Sequence, residues 1–363
     1  MDATILGIET SCDETAAAVV RNGRTILSNI VLSQIADHAV FGGVVPEVAS
    51  RKHLETIIPV VDEAVRGSGV ALGDIDAIAV TYGPGLVGAL LVGLSFAKGI
   101  AKALDIPLIG VHHVAAHILA ANLMDEPPEP PFTALIVSGG HSSIFYVKNF
   151  LDFSLLGRTR DDAAGEAFDK VARATGLGYP GGPKLEAAAV GGAPEAVRFP
   201  RTSFKDGSFD FSFSGVKTAA LNYLKKEQAV IGGADANHSD GFYKDFYASY
   251  QAAVVDALVT NTIAAEKSVS TGKIVVAGGV AANGALRERF YAAASAANIA
   301  ANSVSVAANT ANAAVNDGRL KIYFPPPALC TDNAAMVAAK AYYDYAAGAF
   351  SPLTLNASPT AAL

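Results

Sequence analysis

Residues 5–9 form a short apolar run, Thr10-Ser11-Cys12-Asp13-Glu14-Thr15 follows as a polar segment, and residues 16–20 are apolar again. Two apolar runs about a polar turn predict strand, turn, strand. The order returns later: 134–137 is apolar, Ser138-Gly139-Gly140-His141 is the turn, and 143–147 is the second run. Paired glycines let backbone N–H groups approach a ligand closely. Small hydroxyls and acids in the first turn could meet a phosphate or its metal, although an ordinary hairpin is the better reading of that segment alone.

Between the hairpins, Val45-Pro46-Glu47 leads into a helical pattern over 48–65. A strand over 75–81 enters Gly83-Pro84-Gly85 and a helix over 86–104, and a glycine turn opening a helix is a ready anion site. A strand over 106–111 follows, and Pro127, Pro128, Pro130 and Pro131 mark a break before the second hairpin. In the second half, residues 161–170 read as a helix start rich in acids, where Asp161 and Asp162 suit the dipole. Tyr179-Pro180-Gly181-Gly182-Pro183 is a tight turn. Ser214 is a candidate cap for a helix in which Lys217 could meet a phosphate, although a solvated lysine is the better reading there. A strand over 273–277 runs through Gly278-Gly279 to Asn283-Gly284 and a further helix. Two segments, 229–241 and the Ala/Asn/Ser-rich 292–316, offer no large apolar face and read as dispensable. A last helix spans 334–347, and the tail 351–363 reads as disordered.

Composition narrows the class. With 363 residues, 51% hydrophobic and 17% charged, the chain is globular and long enough for two lobes. Cys12 and Cys330 cannot build a disulfide framework. No basic region precedes an apolar run at the start, and the apolar stretch 85–97 stops at Lys98, too short to span a bilayer. A cytoplasmic protein is expected. The net charge of −7, from 27 basic and 34 acidic residues, does not suit a protein that holds nucleic acid unaided.

Candidate chemistry centres on His113 and His117, four apart on a helical segment, so that both imidazoles share a face. Neutral imidazole is a common transition-metal ligand. A zinc protease would place Glu after the first His; here Val114 stands there. Asp332 can supply a third ligand. It stands at a helix start, where a carboxylate is also a cap, although Thr331 or Asn333 could cap instead.

Together these motifs resemble the tRNA N6-adenosine threonylcarbamoyltransferase family, formerly described as glycoproteases. The resemblance rests on Gly7-Ile8-Glu9-Thr10-Ser11-Cys12-Asp13-Glu14-Thr15, Gly83-Pro84-Gly85-Leu86, His113 with His117, and Val137-Ser138-Gly139-Gly140-His141. It rests also on residues 161–170, Phe213-Ser214-Gly215 and Cys330-Thr331-Asp332-Asn333. It implies an α/β fold of two similar actin-like (ribonuclease-H-like) lobes around a nucleotide cleft. The lobes are expected at 1–121, joined by helix 334–347, and at 122–333 with an insertion at 292–316. His113, His117 and Asp332 would hold one divalent metal, iron (Fe2+) or alternatively zinc. Ile136, Val137, Ser138, Gly139 and Gly140 would contact threonylcarbamoyl-adenylate, and Asp169, Gly182, Glu186 and Asn283 its adenosine part. The group would pass to N6 of adenosine 37 in tRNAs reading codons that begin with A, releasing AMP. Asp13 and Glu14 are candidate bases by position. The resemblance also implies a degenerate paralogue and a small P-loop ATPase as partners. An ATP-dependent small-molecule kinase of the same superfamily, or a non-catalytic nucleotide-binding paralogue, is the alternative.

Overall fold

The computed structural model describes residues 2–202, 204–231, 240–308 and 319–363. The chain divides into two compact units. The first comprises Met1–Pro130, Lys148–Phe153 and Pro325–Leu363, the second Pro131–Val147 and Ser154–Phe324.

The first unit is built on a five-stranded sheet. Strands β1 (Thr4–Glu9), β2 (Glu14–Arg21), β3 (Thr25–Ser33), β4 (Ala77–Gly83) and β5 (Leu108–His112) take the order β3-β2-β1-β4-β5. β1 runs antiparallel to β2 and parallel to β4, and β4 parallel to β5. All six residues of β1 are buried, as an unbroken apolar run requires when both faces of a sheet are covered. Alternate residues divide between two cores. Ile5 joins Ala16, Ala18, Ala77 and Ala79 under the helix Ala334–Ala346. Leu6 and Ile8 join Val19, Ile57 and Leu94 under the helices Pro46–Ser68 and Val87–Leu104. Gly7 has a steric role, because a Cβ there would meet the Ala334 carbonyl at 2.5 Å and the Ala338 nitrogen at 2.9 Å.

The second unit repeats the plan. Strands β6 (Phe132–Val137), β7 (Ser142–Asn149), β8 (Asp152–Arg158), β9 (Lys273–Ala277) and β10 (Lys321–Tyr323) take the order β10-β9-β6-β7-β8. Again the first strand of the set is central, antiparallel to its hairpin partner and parallel to the strand that follows the helices.

Three expectations change. The boundary expected after residue 121 falls after Pro130, because Asn122 is buried and donates to the Gly23 carbonyl (2.8 Å). Asp332, expected in the second lobe, belongs to the first unit with the helix that follows it. The tail 351–363, expected to be disordered, packs on the first unit. Ser351 bridges antiparallel to Leu108 at the sheet edge, Ser358 N–H donates to the Tyr82 carbonyl, and Leu355 and Ala357 lie against the core. Short polar residues hid an apolar pair and an edge-strand partner.

Of the segment 292–316, residues through Ala308 continue the helix Gly284–Ala308. Asn298 holds both backbone groups of Leu320, so this part is anchored; residues 309–316 lie outside the described residues. Of 229–241, residues 232–239 lie outside them, and the flanks belong to the helices Ser214–Ile231 and Asp240–Val269. Helix Val87–Leu104 is long and apolar enough to cross a bilayer by composition. It buries Leu90, Gly93, Leu94 and Ala97 against the first unit.

Candidate functional site

Strand β5 ends at His112, and the next residue opens the helix His113–Leu119. That direct passage brings His113 and His117 to one face of a short buried helix, with ring centroids 4.7 Å apart and edge to face. Asp332 reaches the same place from the turn before the helix Ala334–Ala346. Its Oδ1 lies 3.1 Å from His117 Nε2 and 3.7 Å from His113 Nε2. Asn333, not Asp332, caps that helix by accepting from Met336 N–H (3.1 Å), so the aspartate is released from capping.

Sequence reasoning did not single out Glu9. It ends β1 fully buried, accepts from Ser11 N–H (2.5 Å) and from the Thr81 hydroxyl (2.7 Å), and pairs with His113 Nδ1 at 3.1 Å. This carboxylate holds a proton on Nδ1 and turns Nε2 toward Asp332, an arrangement common behind metal-bound histidine. Burial lowers the basicity of His113, but the charges of Asp332 and Glu9 outweigh it and raise the imidazole to about 9. Burial works to raise Glu9, yet the charge and hydrogen bond of His113 hold it below the usual carboxylate range. The pocket therefore favours positive charge at His113.

The residues fit a metal. The ligand atoms of His113, His117 and Asp332 lie within 4.8 Å of one another, the group of this kind found among the described residues. Separations of 3.1 and 3.7 Å approach the roughly 3.3 Å edge of a tetrahedron with bonds of about 2.0–2.1 Å. Cys330 takes no part, since its thiol donates to the Pro325 carbonyl. Exchanging Glu9 for Gln keeps an acceptor for Thr81 but removes the charge that orients His113. Metal affinity is expected to fall roughly 10–100-fold, read by competition with a chromogenic chelator; parental affinity would remove Glu9 from the site.

Asp13 lies on the turn between β1 and β2, and Glu14 opens β2. Burial, and then the charges of Asp332 and Asp13, push the Glu14 carboxyl up to about 9. Its Oε1 accepts from the Ser33 hydroxyl (2.9 Å). Burial and the charge of Asp13 likewise raise the Cys12 thiol. The Gly83-Pro84-Gly85 turn does not present free donors. Gly85 N–H donates to the Pro359 carbonyl and Leu86 N–H to the Ser11 carbonyl.

In the second unit, Ile136 and Val137 are buried in β6 and paired with Ser143 and Ser142. The turn beyond them is open: a Cβ on Gly139 or Gly140 would meet nothing. Gly165, at the start of the helix Ala164–Ala174, packs against this turn and donates to the Ser138 carbonyl. Asp169, on that helix, accepts from Gly181 N–H (2.7 Å) at the start of the helix Gly181–Ala189, beside exposed space at Gly182. Glu186 accepts from Gly284 N–H (2.6 Å), and Asn283 holds Leu286 N–H and Gln251. The four expected adenosine contacts are thus joined through two helix starts. Asp162 is caught between Lys170 and Lys217, which engages the lysine considered for a phosphate. Asp161, not Ser214, holds the N–H groups of Phe213 and Ser214.

The model of the tRNA N6-adenosine threonylcarbamoyltransferase family matches residues 25–339. A tRNA N6-adenosine threonylcarbamoyltransferase of Clostridium perfringens (strain SM101 / Type A) is 53% identical over 356 residues, covering 98% of this chain and 96% of its own. The chain belongs to the tRNA N6-adenosine threonylcarbamoyltransferase family. The enzyme of that name from Clostridium botulinum (strain 657 / Type Ba4) is also 53% identical, over 355 residues, again covering 98% of this chain and 96% of its own. Among solved structures, full-length HypF in its phosphate- and nucleotide-bound form matches with a TM-score of 0.58 at 14% identity, over 96% of this chain and 56% of that one. Component A of the Acidaminococcus fermentans (R)-2-hydroxyglutaryl-CoA dehydratase matches with a TM-score of 0.50 at 13% identity, over 95% and 99%. This family member therefore has the actin-like ATPase fold, in keeping with its repeated sheet.

Proposed function

We infer that this chain transfers the threonylcarbamoyl group from threonylcarbamoyl-adenylate to N6 of adenosine 37 in tRNAs reading codons that begin with A. The C–O bond to the adenylate phosphate breaks, the C–N6 bond forms, AMP leaves with the electron pair, and the N6 proton passes to a carboxylate, for which Asp13 and Glu14 are the candidates by position. The observation that carries this reading is the His113–His117–Asp332 cluster, its two imidazoles buried and backed by Glu9, in a chain with full-length relatives of that name.

His113, His117 and Asp332 hold the divalent metal, with iron preferred to zinc. A metal there supplies Lewis-acid polarisation of a carbonyl oxygen. The Ser138-Gly139-Gly140 turn offers backbone donors to the acyl phosphate. Asp169, Gly182, Glu186 and Asn283 hold the adenosine part, their present hydrogen bonds to helix starts fixing the local backbone. A net charge of −7 calls for help in holding tRNA, and a degenerate paralogue with a small P-loop ATPase fills that role in the cytoplasm.

The test is incubation of the chain, with those partners, with radiolabelled threonylcarbamoyl-adenylate and unmodified tRNA. Label is expected in tRNA carrying A37 and absent when A37 is changed to G. Equal labelling of both, or none, would overturn the reading.

A further inference from the structure

His53 is fully buried on the helix Pro46–Ser68 and takes no part in the metal cluster. Its Nε2 lies 2.9 Å from the Cys12 carbonyl. A carbonyl only accepts, so Nε2 carries the proton and Nδ1 of the neutral ring is the acceptor. Thr15 O–H donates to Nδ1 at 2.7 Å and Gln34 Nε2 reaches it at 3.4 Å. Gln34 Oε1 in turn accepts from His38 Nε2–H (3.2 Å), and His38 Nδ1 accepts from Val45 N–H (3.3 Å). Every donor in this chain points the same way, from Val45 to Cys12.

The end point is the turn that bears Asp13 and leads into Glu14, the first residue of β2. Three successive carbonyls of that turn are tied by three different elements. Ser11 O accepts from Leu86 N–H (2.8 Å), Cys12 O from His53, and Asp13 O from Gln34 N–H (2.9 Å). Two of these ties are backbone and indifferent to side-chain identity. The middle one is a side chain, and a fixed tautomer supplies it.

We propose that His53 is a positioning residue for the transfer reaction, its Nε2–H fixing the Cys12 carbonyl and hence the Asp13–Glu14 turn beside Asp332. The proposal rests on the acyl-transfer reading for its kinetic consequence but not for its structural one. His53→Ala removes the donor. The amide nitrogen of His53→Gln stands where imidazole Nε2 stood and restores it.

The experiment compares parent, His53→Ala and His53→Gln by metal content, steady-state transfer kinetics, and hydrogen exchange over residues 11–15. With Ala, kcat is expected to fall about 10–100-fold, as for a reacting group displaced by an ångström. Metal content and the KM for threonylcarbamoyl-adenylate stay at parental values, and exchange over the turn speeds up. With Gln, kcat and protection both return most of the way. Parental kcat in the Ala variant overturns the proposal, and so do equal losses in Ala and Gln. If the parent transfers nothing, the acyl-transfer reading falls, and exchange alone decides: unchanged protection in Ala overturns the positioning role, and loss restored by Gln supports it.

Discussion

Changing His113, His117 or Asp332 singly to Ala is expected to strip most of the bound metal and to lower tRNA transfer by a hundredfold or more. Each ligand atom lies within 4.8 Å of the other two, so each variant leaves two donors, too few to hold a divalent ion against water. Because all three residues belong to the first unit, any stabilisation by metal should be confined to it, centred on the helices that open at His113 and Ala334. His112→Ala is the control. Its Nε2–H donates to the Ala361 carbonyl, so that change costs about 1 kcal/mol of stability and spares the metal. Elemental analysis beside a transfer assay on the four variants and the parent decides it, and also tells iron from zinc. A metal-free parent with full activity would sink the assignment, as would an Asp332→Ala variant that keeps its metal.

Gly7→Val should be the most damaging change away from the ligands. Its Cβ would stand 2.5 Å from the Ala334 carbonyl and 2.9 Å from the Ala338 nitrogen. Both are backbone atoms, so the helix Ala334–Ala346 must move as a body. Overpacking of this kind costs about 1–3 kcal/mol or more, and the shift carries Asp332 with it. The expected result is a lower Tm together with weaker metal binding, whereas a core change remote from that helix would lower Tm alone. Unfolding monitored by circular dichroism with a metal titration checks both. Unaltered metal affinity in a destabilised variant would show that strand and ligand are uncoupled.

What the sequence disclosed was whatever periodicity encodes. The two apolar-turn-apolar runs became β1–β2 and β6–β7, and the four-residue spacing of His113 and His117 put both rings on one helix face. What it concealed were pairings between distant positions. Glu9 stands 104 residues from the imidazole it orients. The available clue was an acid closing an apolar run, since a buried charge needs a partner. Asp161 suited its own helix dipole yet serves a helix start some 50 residues onward. Asp332 was legible as a candidate ligand, and the structure brings it beside His113 and His117, but its place in the first unit was not legible. That membership follows from the packing of the helix after it on β1, which no local pattern records.

The tail that settles on β5 has a consequence for how the molecule meets its own copies. β5 is the last strand of its sheet, and the outward-facing Leu108 carbonyl and Gly110 N–H are taken by Ser351. An uncovered strand edge is a template for strand addition by another chain. Residues 351–363, expected to be disordered, thus bring Ser351 onto the sheet edge as a built-in stopper on sheet growth, and cutting them away would leave a sticky margin on the strand that leads into the helix of His113 and His117.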